Sequence, residues 1–304
     1  MPAFVVAAFY KFAALPNAES LIAPLEVLCA AEQLCGTILL ATEGVNGTVA
    51  GPRRGIDALI SFFRSQPLLA DLEAKESFCD SPPFHRMKVR LKPEIVTIGD
   101  SEISPPHRVG TYIQPEHWNT LLEDPEVIVI DTRNVYETRL GTFQGALDPN
   151  LASFRDFPHW VAQNLNPEKH RKVAMYCTGG IRCEKASSLL LREGFSQVFH
   201  LQGGILKYLE QVAPEESKWQ GECFVFDQRV SLDHQLQPGQ HRLCYGCQEP
   251  VSPDDMASPH YESGVCCPRC HDRLDEVTKA GRRERAKQVA LSNARGERHI
   301  GDQR

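Results

Sequence analysis

This sequence of 304 residues has no apolar run approaching the length of about 18 residues that a membrane-spanning helix needs. Its opening stretch, MPAFVVAAFYKFAAL, lacks the basic region and the small-residue cleavage site of a secretory signal peptide. It also has no internal repeat and no low-complexity tract. We therefore expect a cytoplasmic protein with no membrane partner, and no protein partner is evident from the sequence.

Acidic residues outnumber basic ones only slightly, which gives a net charge of −6. A weakly acidic chain has no global attraction for nucleic acid, so such a partner must be held by a local basic patch. The eleven cysteines are not spaced like a secreted disulfide framework, and only two groups of them look organised. This usage favours a reducing compartment.

The order of apolar runs predicts an N-terminal ferredoxin-like α+β domain over residues 1–100, because its elements read β-α-β-β-α-β. Within it, GTILLATEGVNGTVAG predicts two strands joined by a turn centred on Asn46 and Gly47. Residues 110–218 alternate strands and helices, which predicts an α/β domain with a parallel sheet.

Two short runs of that α/β domain are almost continuously apolar, EVIVID at 126–131 and KVAMYC at 172–177. Such runs are typical of parallel strands buried on both faces. Beyond them, residues 219–275 form a Cys-rich module that resembles a zinc ribbon, and residues 276–304 form a basic C-terminal tail.

The most informative stretch lies between a strand and a helix, where Cys177 and Arg182 flank a short loop. The loop residues are Thr178, Gly179, Gly180 and Ile181. Ligands of α/β sheets bind beyond the carboxyl ends of the strands, and glycines let successive N–H groups point inward. Together with a helix N-terminus and the guanidinium, these N–H groups would surround an anionic sulfur and favour the thiolate. We predict that Cys177 and Arg182 are catalytic.

The spacing of this loop is Cys-x4-Arg, one residue shorter than the Cys-x5-Arg loop of cysteine phosphatases. The smaller ring suits a terminal persulfide sulfur better than a tetrahedral oxyanion. A buried cysteine at a strand end, without chemistry, is the alternative.

The loop resembles the active loop of the rhodanese superfamily. The flanking segments VIVIDTRNVYETRLGTFQGA at 127–146 and HLQGGILKYLE at 200–210 are similar to segments of that superfamily. We expect Asp131 and Arg133 to support the loop through hydrogen bonds. Cys183 is either a thiol that resolves an oxidised Cys177 or a small side chain in the first helical turn, and we favour the second.

A second resemblance covers almost the whole chain. EGVNGTVAG at 43–51, CTGGIRCEKAS at 177–187, GECFVFDQRV at 221–230 and ARGERHIG at 294–301 resemble the bacterial rhodanese-type tRNA uridine 5-hydroxylases, which act at wobble position 34. This resemblance implies formation of 5-hydroxyuridine in tRNA, molecular oxygen as a co-substrate, and Cys177 as the essential residue. The sequence has no flavin or nicotinamide signature and no histidine spacing typical of a redox iron site.

Two other functions are compatible with the loop. One is a sulfurtransferase that passes a Cys177 persulfide to an acceptor. The other is a non-catalytic adaptor with a degenerate rhodanese module, against which the intact Cys177 and Arg182 argue. The whole-chain resemblance favours the hydroxylase.

The Cys-rich module contains two Cys-x2-Cys pairs separated by 19 residues, CYGC and CPRC. This spacing lies within the zinc-ribbon template, so we expect Cys244, Cys247, Cys267 and Cys270 to hold a structural Zn²⁺. Thiol or disulfide states are the alternatives, because Cys266 offers another ligand or a disulfide partner.

The basic tail has two interpretations, an arm that contacts tRNA phosphates or a solvated helix with a charged face. Its cations are Lys279, Arg282, Arg283, Arg285, Lys287, Arg295 and Arg298.

Overall fold

The computed structural model describes residues 4–100 and 102–295, which divide into two compact units. The first unit comprises Met1–Phe224 with Asp233–Gln237, and the second comprises Val225–Leu232 with Pro238–Arg304. Among the described residues, no helix combines the length and the apolar character that crossing a bilayer requires.

The first unit begins with an α+β domain. Its elements are β1 Phe4–Phe12, α1 Ile22–Ala31, β2 Cys35–Ala41, β3 Gly44–Gly51, α2 Arg53–Arg64, β4 Ala74–Cys79 and β5 Met87–Leu91, with 3₁₀ turns at Ala18–Leu21 and Pro67–Leu69. The sheet order is β4-β1-β3-β2-β5, antiparallel except for the parallel pair β2 and β5. The first four strands have the ferredoxin-like order that the sequence predicted, and β5 extends the sheet.

The hairpin between β2 and β3 is present, but the prediction that its turn is centred on Asn46 and Gly47 is wrong. The turn lies at residues 42–43, and Asn46 and Gly47 lie inside β3. The Asn46 side chain donates a hydrogen bond to the carbonyl of Ile95 at 2.9 Å. A Cβ at Gly47 would lie 2.7 Å from the ring of Phe9. Tertiary contacts, and not turn chemistry, account for these two residues.

The second domain of this unit is α/β. Its elements are β6 Thr111–Ile113, α3 Pro115–Glu123, β7 Val127–Asp131, α4 Val135–Thr138, β8 Gly141–Phe143, α5 Phe157–Asn164, β9 Lys172–Tyr176, α6 Ile181–Arg192, β10 Gln197–Leu201, α7 Gly204–Gln211, β11 Trp219–Gly221 and β12 Cys223–Phe224, with a 3₁₀ turn at Phe154–Asp156. The main sheet is parallel with order β6-β10-β9-β7, and β8 pairs with β11.

Strand β9 shows why its sequence is almost continuously apolar. Val173 and Met175 point into one buried cluster, and Ala174 and Tyr176 point into the cluster on the opposite face. Helices cover both faces of a parallel sheet, so alternate side chains are buried on either side. The predicted parallel sheet is confirmed, and Cys177 follows β9 at its carboxyl end.

The second unit is built from short elements around cysteines. They are β13 Ser231–Leu232, β14 Arg242–Leu243, β15 Pro250–Val251, α8 Pro253–Ala257, α9 Pro268–His271 and α10 Glu276–Ala294. Its buried cluster contains Val251 and Val265 together with cysteines, so little apolar surface holds it together. Residues 296–304, which include Arg298 and most of the ARGERHIG segment, lie outside the described residues.

Candidate active site and cysteine cluster

The loop after β9 has a conformation that requires glycine. Gly180 has φ = +102°, a left-handed conformation that L side chains rarely adopt, and a Cβ there would lie 2.9 Å from the hydroxyl of Tyr10. The N–H of Gly180 donates a hydrogen bond to Cys177 Sγ at 3.1 Å. The second loop glycine therefore turns a backbone donor towards the sulfur.

The start of α7 holds the other side of the loop. The N–H of Ile205 donates to the Cys177 carbonyl at 3.0 Å, and the N–H of Leu206 donates to the Thr178 carbonyl at 3.1 Å. Gly204 has φ = +68°, and a Cβ there would lie 2.5 Å from the same Cys177 carbonyl. The GG pair of HLQGG thus lets a helix N-terminus approach the loop and fix it.

The environment of the Cys177 thiol favours its anionic form, although the residue is fully buried. Burial opposes ionisation, but a hydrogen bond from the Cys183 thiol, the charge of Arg182 and the N–H groups of Cys183 and Gly180 outweigh it. They lower the pKa of the Cys177 thiol to about 5. These contacts favour the thiolate, which is the reactive form of cysteine.

Cys183 lies on the first turn of α6, with its thiol against Cys177 and 3.5 Å from the Thr132 hydroxyl. Burial, followed by the neighbouring Cys177 sulfur, raises the pKa of the Cys183 thiol well above its usual value. Cys183 therefore remains protonated, and its S–H donates to the anion. Cys183 therefore lies in the first helical turn, as expected from the sequence, and its thiol also neighbours Cys177.

Arg182 forms a buried, bidentate ion pair with Glu137. Its two terminal nitrogens donate to the two carboxylate oxygens at 2.6 and 2.7 Å. The Thr178 hydroxyl donates to the same carboxylate at 3.2 Å. Burial opposes ionisation of Glu137, but the Arg182 charge and hydrogen bonds keep its pKa below the usual value. Arg182 therefore fixes the loop through Glu137 while its charge favours the Cys177 thiolate.

Asp131 and Arg133, the predicted supporting pair, lie one layer further from the sulfur. Arg133 donates to both oxygens of Asp131, and further to the carbonyls of Glu137 and Gly141 at 3.3 and 2.7 Å. Its guanidinium also lies over the Trp219 ring at 5.1 Å. This pair shapes the segment that carries Glu137, so its influence on the loop is indirect.

Comparisons with known proteins agree with this architecture. Residues 4–95 match the family described as UPF0176 acylphosphatase like domain, and residues 114–211 match the rhodanese-like domain family. A tRNA uridine(34) hydroxylase of Rhizobium leguminosarum bv. trifolii is 54% identical over 298 residues, which is 98% of this chain and 96% of the relative. The chain belongs to the tRNA uridine(34) hydroxylase family.

Other relatives point to the same family. The tRNA uridine(34) hydroxylase of Albidiferax ferrireducens is 54% identical over 305 residues, covering 99% of this chain and 96% of that protein. Among solved structures, the rhodanese-like domain of an Anabaena protein is 20% identical over 36% of this chain and 78% of its own, with a TM-score of 0.31. A likeness that slight adds nothing to the family assignment.

In this member of the tRNA uridine(34) hydroxylase family, the four predicted ligand cysteines come together. The sulfurs of Cys244 and Cys270 are 3.8 Å apart, those of Cys247 and Cys267 are 3.7 Å apart, and Cys267 and Cys270 are separated by 3.9 Å. A metal bound tetrahedrally by four thiolates at about 2.3 Å has sulfurs about 3.8 Å apart. These distances fit a metal and exceed by far a disulfide bond of about 2.05 Å.

Cys266 lies outside that group, although it neighbours Cys267 in sequence. Its thiol is directed at the carbonyl of His260 at 3.6 Å. The residue proposed as an alternative ligand therefore has a different partner, and the four sulfurs within 4.8 Å of one another are those of the two Cys-x2-Cys pairs.

Three of the seven cations in the predicted basic arm make contacts within their own unit. Arg282 donates to the Val265 carbonyl at 3.0 Å, and Arg283 donates to both carboxylate oxygens of Glu262. Lys279 is buried beside Glu276, 3.2 Å away. Arg282 and Arg283 hold α10 against the Cys-rich module, whereas Arg285 and Lys287 are exposed on the same helix.

Sequence reasoning did not assign site roles to four residues that the structure brings to the loop. They are Glu137, Glu184, Tyr10 and Lys75. Glu137 could have been found, because it lies in the segment that resembles the rhodanese superfamily. Tyr10 and Lys75 could not, because more than 100 residues separate Lys75 from its partner Gly179.

Proposed function

We propose that this protein hydroxylates C5 of uridine 34 in tRNA and that Cys177 is its catalytic group. Relatives named tRNA uridine(34) hydroxylase, 54% identical over 98% of the chain, support the reaction. The observation that carries the role of Cys177 is its position at the end of β9, where its sulfur accepts a hydrogen bond from the Gly180 N–H at 3.1 Å; the Arg182 charge also lowers the pKa of the thiol. Hydroxylation replaces the hydrogen on C5 by a hydroxyl group. We propose that one atom of molecular oxygen enters the nucleoside and that the other leaves as water, with two electrons and two protons supplied by an external two-electron reductant.

In this proposal the other loop residues act through Cys177. The Gly180 N–H and the Cys183 thiol donate to the anion, and Arg182 contributes charge while its pairing with Glu137 keeps the loop in place. Such fixed donors stabilise a charge without reorganising during the reaction.

Nucleoside mass spectrometry of tRNA from cells lacking this protein tests the proposal. The cells are complemented with the wild type, with Cys177→Ser, or with Cys35→Ser as a control in a half-buried thiol of β2. We expect 5-hydroxyuridine and its derivatives to return with the wild type and with Cys35→Ser, and to remain absent with Cys177→Ser.

Two results would replace the hydroxylase. If 5-hydroxyuridine is unaffected and a thiolated nucleoside falls instead, the protein is a sulfurtransferase that uses a Cys177 persulfide. If no nucleoside changes, the protein acts as an adaptor. Growth with and without air adds a further check, because a hydroxylase that uses oxygen should form its product only in air.

We also propose that the four cysteines of the Cys-x2-Cys pairs hold a structural Zn²⁺. The sulfur separations of 3.7 to 3.9 Å support this proposal, and so does the small apolar core of the module. A site closed by four thiolates leaves no position for substrate, so the ion would supply folding stability. Metal analysis should find about one Zn²⁺ per chain in the wild type and in Cys266→Ser, and a strong loss in Cys267→Ser. Equal metal content in the last two variants would contradict this ligand set.

For tRNA binding, we propose that Arg285 and Lys287 contact phosphates, in the cytoplasm where tRNA is found. Both are exposed, in contrast to the buried Lys279 and the half-buried Arg282 of the same helix. Replacing either by Gln should weaken tRNA binding and reduce the slope of log K against log salt by about one. An unchanged slope would mean that α10 is a solvated helix with a charged face and does not contact tRNA phosphates.

A further inference from the structure

The α+β domain contacts the α/β domain at the active loop itself. The hydroxyl of Tyr10, on β1, donates to Glu184 at 2.8 Å, and the ammonium of Lys75, on β4, donates to the Gly179 carbonyl at 2.5 Å. Gly179 and Glu184 lie on either side of Arg182 in sequence. The first domain therefore lies directly beside the segment that carries the catalytic thiol.

A buried ion-pair cluster anchors this contact. Lys185, the residue after Glu184, is 1% exposed, and its ammonium lies 2.8 Å from Glu43 and 2.6 Å from Glu94. Both carboxylates belong to the N-terminal segment. Separating the domains would leave these charges without partners, which costs several kcal/mol for a buried pair. The arrangement of Lys75 over the loop is therefore a fixed feature of the fold.

The Lys75 ammonium brings a positive charge to the loop, and its hydrogen bond there does not neutralise this charge. Its hydrogen-bond acceptor is a carbonyl, which is uncharged, and its stem places it 5.7 Å from the centre of the Tyr10 ring. The Cys177 thiolate is the strongest attractive charge acting on it. A cation fixed near an anion in a site of low dielectric favours that anion.

We infer that the α+β domain completes the active site: Lys75 is a positioning residue that fixes the Gly179 carbonyl and holds Cys177 in its thiolate form. This inference rests on Cys177 being the reactive group of the proposed function. It gives the N-terminal domain a part in the chemistry beyond any role in binding tRNA.

Several titratable groups face this ammonium and the thiolate. Burial lowers the pKa of Lys75 to about 8, the charge of Lys207 on α7 also lowers it, and Cys177, Glu184 and Glu73 oppose that change. Around the thiolate lie Arg182, Cys183 and Glu184 on α6, Tyr10 on β1 and Cys223 on β12. Both charges are present between about pH 5 and about pH 8, so activity should rise through the first value and fall through the second.

The test is an ultraviolet absorbance titration of the Cys177 thiolate in the full chain. The signal of Cys177→Ser is subtracted, which removes the other cysteines and the tyrosines. With Lys75→Met the midpoint should rise by about one unit, as expected when a neighbouring opposite charge is removed. Lys75→Arg should restore it, and Lys88→Met, on β5 at the other edge of the sheet, should leave it unchanged. A midpoint that stays the same in Lys75→Met overturns the inference.

Lys75→Gln separates charge from hydrogen bonding, because Gln can still donate to Gly179 but carries no charge. It should behave like Lys75→Met, and a midpoint equal to that of the wild type would assign Lys75 to holding the carbonyl only, which overturns the charge role. This variant also serves if Lys75→Met does not fold. In the hydroxylation assay we expect the acid limb of the pH profile of kcat to move upward by about one unit in Lys75→Met with KM unchanged, and the alkaline limb to move upward in Lys75→Arg.

The titration uses no tRNA, so its outcome is independent of the reaction proposed above. A wild-type protein without a thiolate transition below neutral pH would refute the reactive Cys177, whatever the lysine does. A normal transition together with unchanged tRNA nucleosides would refute the hydroxylase and leave the role of Lys75 intact.

Discussion

The active loop and the cysteine cluster use the same side chain in opposite ways. At the loop, the sulfur of Cys177 is surrounded by donors, namely the Gly180 N–H and the Cys183 thiol, with the Arg182 charge nearby. In the cluster, the sulfurs of Cys244 and Cys247 have other sulfurs as partners, at 3.8 and 3.7 Å. One arrangement stabilises a single anion, and the other brings four soft ligands to separations that suit a metal.

This contrast teaches that the surroundings of a thiol decide its chemistry. Both sites lie beside a turn, and both are largely buried. What differs is the nearest partners. A cation and N–H groups stabilise one thiolate, whereas four clustered sulfurs would need a cation between them to be thiolates together.

The largest effect should come from replacing a cysteine by serine at each of the two sites. Cys177→Ser should lower kcat by on the order of 10³-fold or more, because a hydroxyl is not ionised at neutral pH. It should keep its metal. Cys267→Ser should lose the metal and keep the Cys177 titration midpoint, because the two residues belong to different units. Hydroxylation assays, metal analysis and the absorbance titration of both variants check that each loses only one property. A variant that loses both the activity and the metal would contradict the independence of the two sites.

A smaller effect should follow removal of the carboxylate behind the loop. Glu137→Gln leaves Arg182 as a buried charge without its partner, which should lower the free energy of unfolding by about 3–5 kcal/mol. Glu76→Gln is the matched control, because Glu76 also forms a two-oxygen pair, with Arg53, but at the surface. Its loss should cost under about 1 kcal/mol. Denaturant unfolding measures both, and equal losses would show that burial does not distinguish the two pairs.

At alkaline pH the melting temperature of Cys177→Ser should differ from that of the wild type by a few degrees, and this difference should depend on pH. The folded pKa of Cys177, about 5, lies below the unfolded value of about 8.5. The thiolate therefore contributes stability that is fully present above about pH 8.5 and is lost as pH falls through about 5. Thermal melts across this range should show the gap closing towards acid, and a gap that widens there would contradict the low pKa.

The smallest effect should come from the second thiol of the loop. Cys183→Ala removes a donor to the Cys177 thiolate, and the titration midpoint should rise by about one unit, which is the size of a hydrogen bond to a charged group. Cys183→Ser keeps a donor and should restore the midpoint. If both variants titrate like the wild type, Cys183 is the small helical side chain favoured from the sequence.

Sequence reasoning reached the loop because its signals are local. Cys177, two glycines and Arg182 lie within six consecutive residues after a strand, and each Cys-x2-Cys pair spans only four residues. It failed at Asn46 and Gly47, where a strong turn signal lies inside a strand. The β3 register and the contacts with Phe9 and Ile95 come from distant parts of the chain, which no short window contains.

The pairing of Arg182 shows the same limit at the site. The amino-acid order indicated a guanidinium beside the sulfur, but its bidentate contact with Glu137 depends on how the segment after β7 returns to the loop.

The local order of the chain was sufficient to predict the two domain types, the position of Cys177 at a strand end and the group of four cysteines, because hydrophobic periodicity and the spacing of glycine and cysteine act over a few residues. Folding of the whole first unit was needed to bring Lys75 and Tyr10 to the Cys177 loop. A charge acts through space and not along the chain, so the state of the thiol depends on neighbours that the packing of two domains supplies.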